Sequence, residues 1–144
     1  MILDIITYSD KNSNILRKKS TDVKKENPFL QKLISDMFET LEHYGGVGLA
    51  APQVGHNLNL FIVKTPNFKE VFINPKIKLE GLLKQGIEGC LSFPDMSFPV
   101  NRRDIVYIQY FDKNWTFRNM KYNDFTAIVI QHEYDHLNGK LIID

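Results

Sequence analysis

The chain has 144 residues, 43% of them hydrophobic and 24% charged, which is enough for one ordinary core and unlike the apolar-poor, single-sign composition of disordered chains. Lys and Arg sum to 18 and Asp and Glu to 17, leaving a formal charge of +1, too little for an extended phosphate-binding surface, so nucleic acid is not an expected partner. No apolar run approaches the ~18 residues of a membrane span, and the opening MILDIITYSD, interrupted by Asp4 and lacking a basic start, fits no export signal. The lone cysteine, Cys90, has no internal partner for a disulfide, and the expected compartment is the reducing cytoplasm.

The first clear element runs from about Asn27 to Tyr44. Asn27 suits a cap and Pro28 the first helical position, while Leu30, Ile34, Met37, Phe38 and Leu41 keep helical spacing up to Gly45 and Gly46. Short runs rich in β-branched and aromatic residues follow at Leu58 to Lys64, Glu70 to Asn74, Lys76 to Glu80 and Asp104 to Phe111. Asp112-Lys113-Asn114 then reads as a turn into a further strand from Trp115 to Tyr122, making a hairpin. From a cap at Asn123 or Asp124 through Phe125, Ile128, Val129, His132 and His136 the helical period returns, and Gly139 sits where a C-terminal glycine belongs. Strands not interleaved with crossover helices predict a single α+β domain: short antiparallel strands around a C-terminal helix, with one N-terminal helix.

That last helix carries His132-Glu133-Tyr134-Asp135-His136, an H-E-x-x-H pattern. Histidines four apart project from one helical face and can grip one metal ion, and a carboxylate between them can take a proton from water bound to it. The bland alternative, surface polar residues on an amphipathic helix, leaves the pairing with Glu133 unexplained. Extending the pattern to H-E-x-x-H-x-x-G-x-x-H places Gly139 correctly but puts Ile142, which cannot ligate, at the third histidine. The third ligand is therefore sought upstream. Cys90, in Glu88-Gly89-Cys90-Leu91-Ser92, is the strongest candidate because thiolate suits zinc and iron, with His43 and His56 as weaker rivals. Three protein ligands would leave an open position, the mark of a catalytic rather than a structural site.

A third constellation is Gly46-Val47-Gly48-Leu49-Ala50-Ala51-Pro52-Gln53. A dinucleotide loop must follow a strand and open a helix, whereas this segment follows a helix and runs into Pro52. Small residues in a row instead let another backbone approach, as an extended peptide added to a strand edge requires, and Gln53 could present its amide to an oxyanion.

These three segments, the last taken as Gln131-His132-Glu133-Tyr134-Asp135-His136-Leu137, resemble in order the three signature motifs of peptide deformylases. The resemblance implies a hydrolase of protein biosynthesis that removes the N-formyl group from the initiator methionine of nascent polypeptides. It implies one divalent metal ion, usually ferrous iron, which zinc, nickel or cobalt can replace. Carried over by position, Cys90, His132 and His136 would be the ligands, and Glu133 the general base for the attacking metal-bound water. Gln53 and the backbone N–H of Leu91 would stabilise the oxyanion, and the backbone at Val47, Gly48 and Gly89 would hold N-formylmethionyl peptides as an added strand. Glu88 and Arg102 match a pair that braces the cysteine loop. Ile87, Phe125, Ile128 and Val129 would wall an apolar pocket for the methionine side chain. The chain is expected to act as a monomer. Many members continue past the position of Asp144 into a helix associated in some with docking on the ribosome; the sequence stops at Asp144, which leaves docking by that route unsupported. A metallopeptidase for other N-blocked peptides and a non-catalytic peptide-binding module are the rival readings, and the latter would need neither Glu133 nor Gln53.

Overall fold

Burial of one helical face, made of Leu30, Leu33, Ile34, Met37 and Leu41, sets α1 (Leu30–Tyr44) against the central sheet. The computed structural model describes residues 1–144. The helix begins at Leu30 rather than at Pro28, because Asn27 closes a turn ahead of it, its Oδ1 accepting the Phe29 N–H. It ends at Gly45, whose φ of 71° is the left-handed conformation glycine adopts without strain.

Five antiparallel strands form one sheet in sequence order: β1 (Gly48–Ala50), β2 (Leu60–Thr65), β3 (Phe68–Cys90), β4 (Phe93–Phe111) and β5 (Phe117–Asn123). Side chains alternate across β2, so Leu60 and Ile62 pack with α1 while Phe61 and Val63 face the opposite way. The second face is covered by α2 (Asp124–Leu137) through Ala127, Val129, Ile130 and Leu137. Gln131 fixes that docking: its Oε1 accepts the Arg103 N–H at 3.2 Å and its Nε2 donates to the Arg103 carbonyl at 2.7 Å. The α+β class, the antiparallel pairing and the two helices agree with the sequence reading.

Two strands are far longer than their hydrophobic runs suggest. The runs at 70–74 and 76–80 are parts of one strand that continues to Cys90, and the run at 104–111 is only the end of β4. The outer halves are mostly exposed, with Phe98, Val100 and Arg102 turned inward between exposed neighbours; backbone pairing such as Gly86↔Val100 and Glu88↔Phe98 holds them. Irregular pairing at Glu80/Leu83 bends this ribbon, where Asp104 Oδ1 accepts the Leu82 N–H. The final strand starts at Phe117 rather than Trp115, since Asp112 Oδ1 accepts the N–H groups of Asn114 and Thr116 and so curls the chain through Trp115. No helix is long and apolar enough to cross a membrane.

Candidate active site

The H-E-x-x-H segment lies within α2, so the spacing of four places His132 and His136 on one face, their rings 5.2 Å apart. The end of β3 brings Cys90 to that face. Donor atoms of Cys90, His132 and His136 all lie within 4.8 Å of one another, and Cys90 Sγ is 3.4 Å from His136 Nε2. His43 and His56 are not in this cluster.

The surroundings leave these donors facing one point. Glu88 Oε1 lies 2.9 Å from His132 Nδ1. The same carboxylate takes two hydrogen bonds from Arg102, from Nε to Oε2 and from the terminal nitrogen to Oε1, both 2.9 Å. Burial opposes the Glu88 charge, but His132 and Arg102 outweigh it and hold its pKa at about 2. An ionised carboxylate only accepts, so Nδ1 is the donor and Nε2 of His132 is left for the cluster. Arg102 also donates to Asp135 on α2 at 2.5 Å, tying both strands of the ribbon to the helix.

Glu133 is 4% exposed, one of its oxygens has no partner, and the other is 4.0 Å from His132 Nε2. Burial lifts its pKa to about 7 against the pull of His132 and Arg102. In the metal-free protein burial works against a charged His132, yet Glu133, Cys90 and Glu88 together push it up to about 10; burial, then the charges of His132 and Arg102, drives His136 well below its ordinary value.

Gly48 makes room for Glu133: a Cβ on it would lie 2.6 Å from the Glu133 carboxylate. It sits in β1, an edge strand that pairs only with β2. Val47 O accepts from Lys64 N toward β2, so the backbone groups of Gly48 and Ala50 point away from it. The Ala50 N–H on that side is taken by Gln53 Oε1 at 3.0 Å, which fixes the carboxamide so that Nε2 faces Ser92 Oγ at 3.1 Å and Cys90 Sγ at 3.5 Å. The segment Gly46–Gln53 thus contains a short strand and runs into a 3-10 turn (Ala51–Val54), the strand hidden from sequence reading by its three-residue length.

A cavity of about 920 Å³ opens beside this cluster and is bordered by Val47, Gly48, Gln53, Gly89, Leu91 and Glu133, among others. Val129, buried, and Ile128 line its α2 side, while Val47 and Phe125 are exposed at the rim. Ile87 borders the mouth and not the depth: it is 71% exposed and projects from the face of β3 opposite Glu88. Asp135 and Ser92 were not singled out from sequence. Both lie inside the quoted motifs, and only the contacts to Arg102 and Gln53 reveal what they do.

Whether the residues fit a metal is decided by the donor set. One sulfur and two imidazole nitrogens converge, one histidine is oriented through its far nitrogen by a carboxylate, and an enclosed carboxylate with a free oxygen stands beside them. Three borderline-soft donors suit a divalent transition metal and leave room for water and substrate. Fold and site define a single-metal hydrolase.

The family model for polypeptide deformylase matches residues 2–144, and the chain belongs to that family. It is 41% identical to the peptide deformylase of Karelsulcia muelleri over 150 residues, covering 100% of this chain and 78% of that one. It matches the crystal structure of peptide deformylase from Thermotoga maritima with a TM-score of 0.93 at 37% identity, covering 100% of this chain and 97% of the other. A Synechococcus elongatus peptide deformylase solved in complex with actinonin matches at TM-score 0.92 and 38% identity, covering 99% of this chain and 77% of that one.

Proposed function

We propose that the protein removes the N-formyl group from the initiator methionine of nascent polypeptides in the cytoplasm, acting as a monomer with Cys90, His132 and His136 holding one divalent ion. The observation that carries this reading is Glu133: an enclosed carboxylate with a free oxygen, beside three metal donors and against the open edge of β1. Ferrous iron is the first candidate, with zinc, nickel or cobalt able to replace it, and when bound the ion supplies Lewis acidity that lowers the pKa of water toward ~7.

The chain's own residues do the rest. A formylated peptide lies along the free edge of β1, paired with the backbone at Gly48 and facing Gly89; the Val47 carbonyl, expected from the family resemblance to pair with it, is taken by Lys64 N on the β2 side, and Val47 contributes its side chain at the rim. Its first side chain enters the cavity beside Ile128 and Val129. Glu133 takes the proton of the attacking water and passes it to the departing amine, its enclosure favouring the protonated form between the two transfers. Charge developing on the formyl oxygen is met by Gln53 Nε2, whose carboxamide is pre-set by Ala50, and by the N–H of Leu91. Glu88 and Arg102 keep His132 turned toward the ion.

The test is Glu133→Gln in metal-loaded protein. Metal content is expected to stay at wild-type level while kcat on a formyl-Met tripeptide falls about 10²–10⁴-fold. Near-normal kcat at full metal occupancy would remove Glu133 from the chemistry.

A further inference from the structure

Gly86 lies near the C-terminal end of β3, opposite Val100, with no positive φ to require a glycine. A Cβ built on it meets nothing within 4 Å, in contrast to Gly48, where the Glu133 carboxylate fills the space. Neither backbone conformation nor packing explains the absence of a side chain.

Its direction does. Pairing between Leu83 and Gly89 is regular, so alternate residues share a face, and Gly86 projects with Glu88. Glu88 reaches His132 on α2 from that face, and Gly86, Ile128, Val129 and His132 all border the same cavity. The strand residue best placed to form the wall opposite α2 has no side chain, and its exposed neighbour Ile87 points away.

We infer that Gly86 determines specificity by holding the first-side-chain pocket open on its β3 side, so that formylated peptides beginning with a wide side chain, aromatic or branched, enter alongside formyl-Met. This rests on the deformylase reading of the same cavity. An unbranched chain fills such a pocket through contacts with α2 alone, whereas a phenyl ring needs the width that a residue at 86 would occupy.

The test compares kcat/KM for formyl-Met and formyl-Phe versions of one tripeptide with metal-loaded wild type, Gly86→Ala and Gly86→Val. Wild type is expected to cleave both within about tenfold. Gly86→Val should lose at least about tenfold on formyl-Phe and less than about threefold on formyl-Met, with Gly86→Ala in between, because a bulky group placed in a pocket discriminates by roughly 10–200-fold. A formyl-Met to formyl-Phe ratio unchanged in both variants, or an equal fall on both substrates, overturns the assignment. In parallel, Kd values of the unformylated Met and Phe tripeptides for Glu133→Gln, with and without Gly86→Val, read the pocket without turnover. If wild type cleaves neither formyl peptide, the deformylase reading fails, and the Kd ratio still decides the role of Gly86: a shift toward Met on adding valine upholds it, and no shift removes it.

Discussion

Replacing Arg102 by Met should cost stability and metal affinity together, because one guanidinium serves two carboxylates on different elements. It makes two 2.9 Å bonds to Glu88 and one of 2.5 Å to Asp135, and its side chain is 9% exposed. Removing one partner of a buried ion pair costs about 3–5 kcal/mol. The lower end applies, since Glu88 keeps the His132 N–H and the Asp135 side chain, 32% exposed, can turn to water. A loss of about 3 kcal/mol corresponds to a drop in Tm of roughly 6–12 °C in a domain of this size. Without its fork Glu88 also holds His132 less firmly, which should weaken metal binding about 10–100-fold. Urea unfolding and chelator competition on metal-loaded protein measure the two effects. Arg102→Lys keeps the charge but not the fork and should recover only part of each. Unfolding within about 1 kcal/mol of wild type, with unchanged metal affinity, would refute the idea that this arginine braces the site.

Gly48→Ala should lower kcat about 10²-fold, because the new Cβ would lie 2.6 Å from the Glu133 carboxylate and displace it; a kcat at wild-type level would show that the close approach is not needed. Glu88, held at about 2 in the folded protein against an ordinary 4.5, stabilises the fold fully above pH 4.5 and loses that contribution as the pH falls toward 2. The gap in urea midpoint between wild type and Glu88→Gln should therefore be widest near pH 6 and narrow steadily below 4.5, and a gap independent of pH would contradict the ion-pair origin of the shift.

The parts of this molecule legible in its sequence are those governed by local periodicity. His132 and His136 share a face because both lie on one helix, and the spacing of Phe125, Ile128 and Val129 put them on the cavity side. Where distant segments decide, local reading fails. The outer halves of β3 and β4 are held by pairing with each other, with most side chains in solvent, so too few apolar residues mark them as strands in the sequence. The strand Gly48–Ala50 is too short for a period of two, and Gly48 owes its place to a glutamate 85 positions away in the sequence. Ile87, expected in the pocket wall from the family resemblance, borders the cavity at its exposed mouth, a depth that local sequence does not reveal. Glu88 and Arg102 came from family resemblance alone; the third member of their cluster, Asp135, stands in a variable position of the H-E-x-x-H motif and shows its part only through Arg102.

Hydrolysis of a formyl amide in this cavity is read most sharply from the group that blocks the peptide. In the proposed binding mode the formyl carbon lies between Glu133, Gln53 and Gly48, which all border the cavity, and an added methyl group would have to be fitted among them. The measurement is kcat/KM of metal-loaded protein for formyl-Met and acetyl-Met versions of one tripeptide. The formyl peptide should be favoured by roughly 10²-fold or more, since one added methyl group must be fitted among these residues. Comparable values would rule out a deformylase and leave a general N-acyl hydrolase in its place.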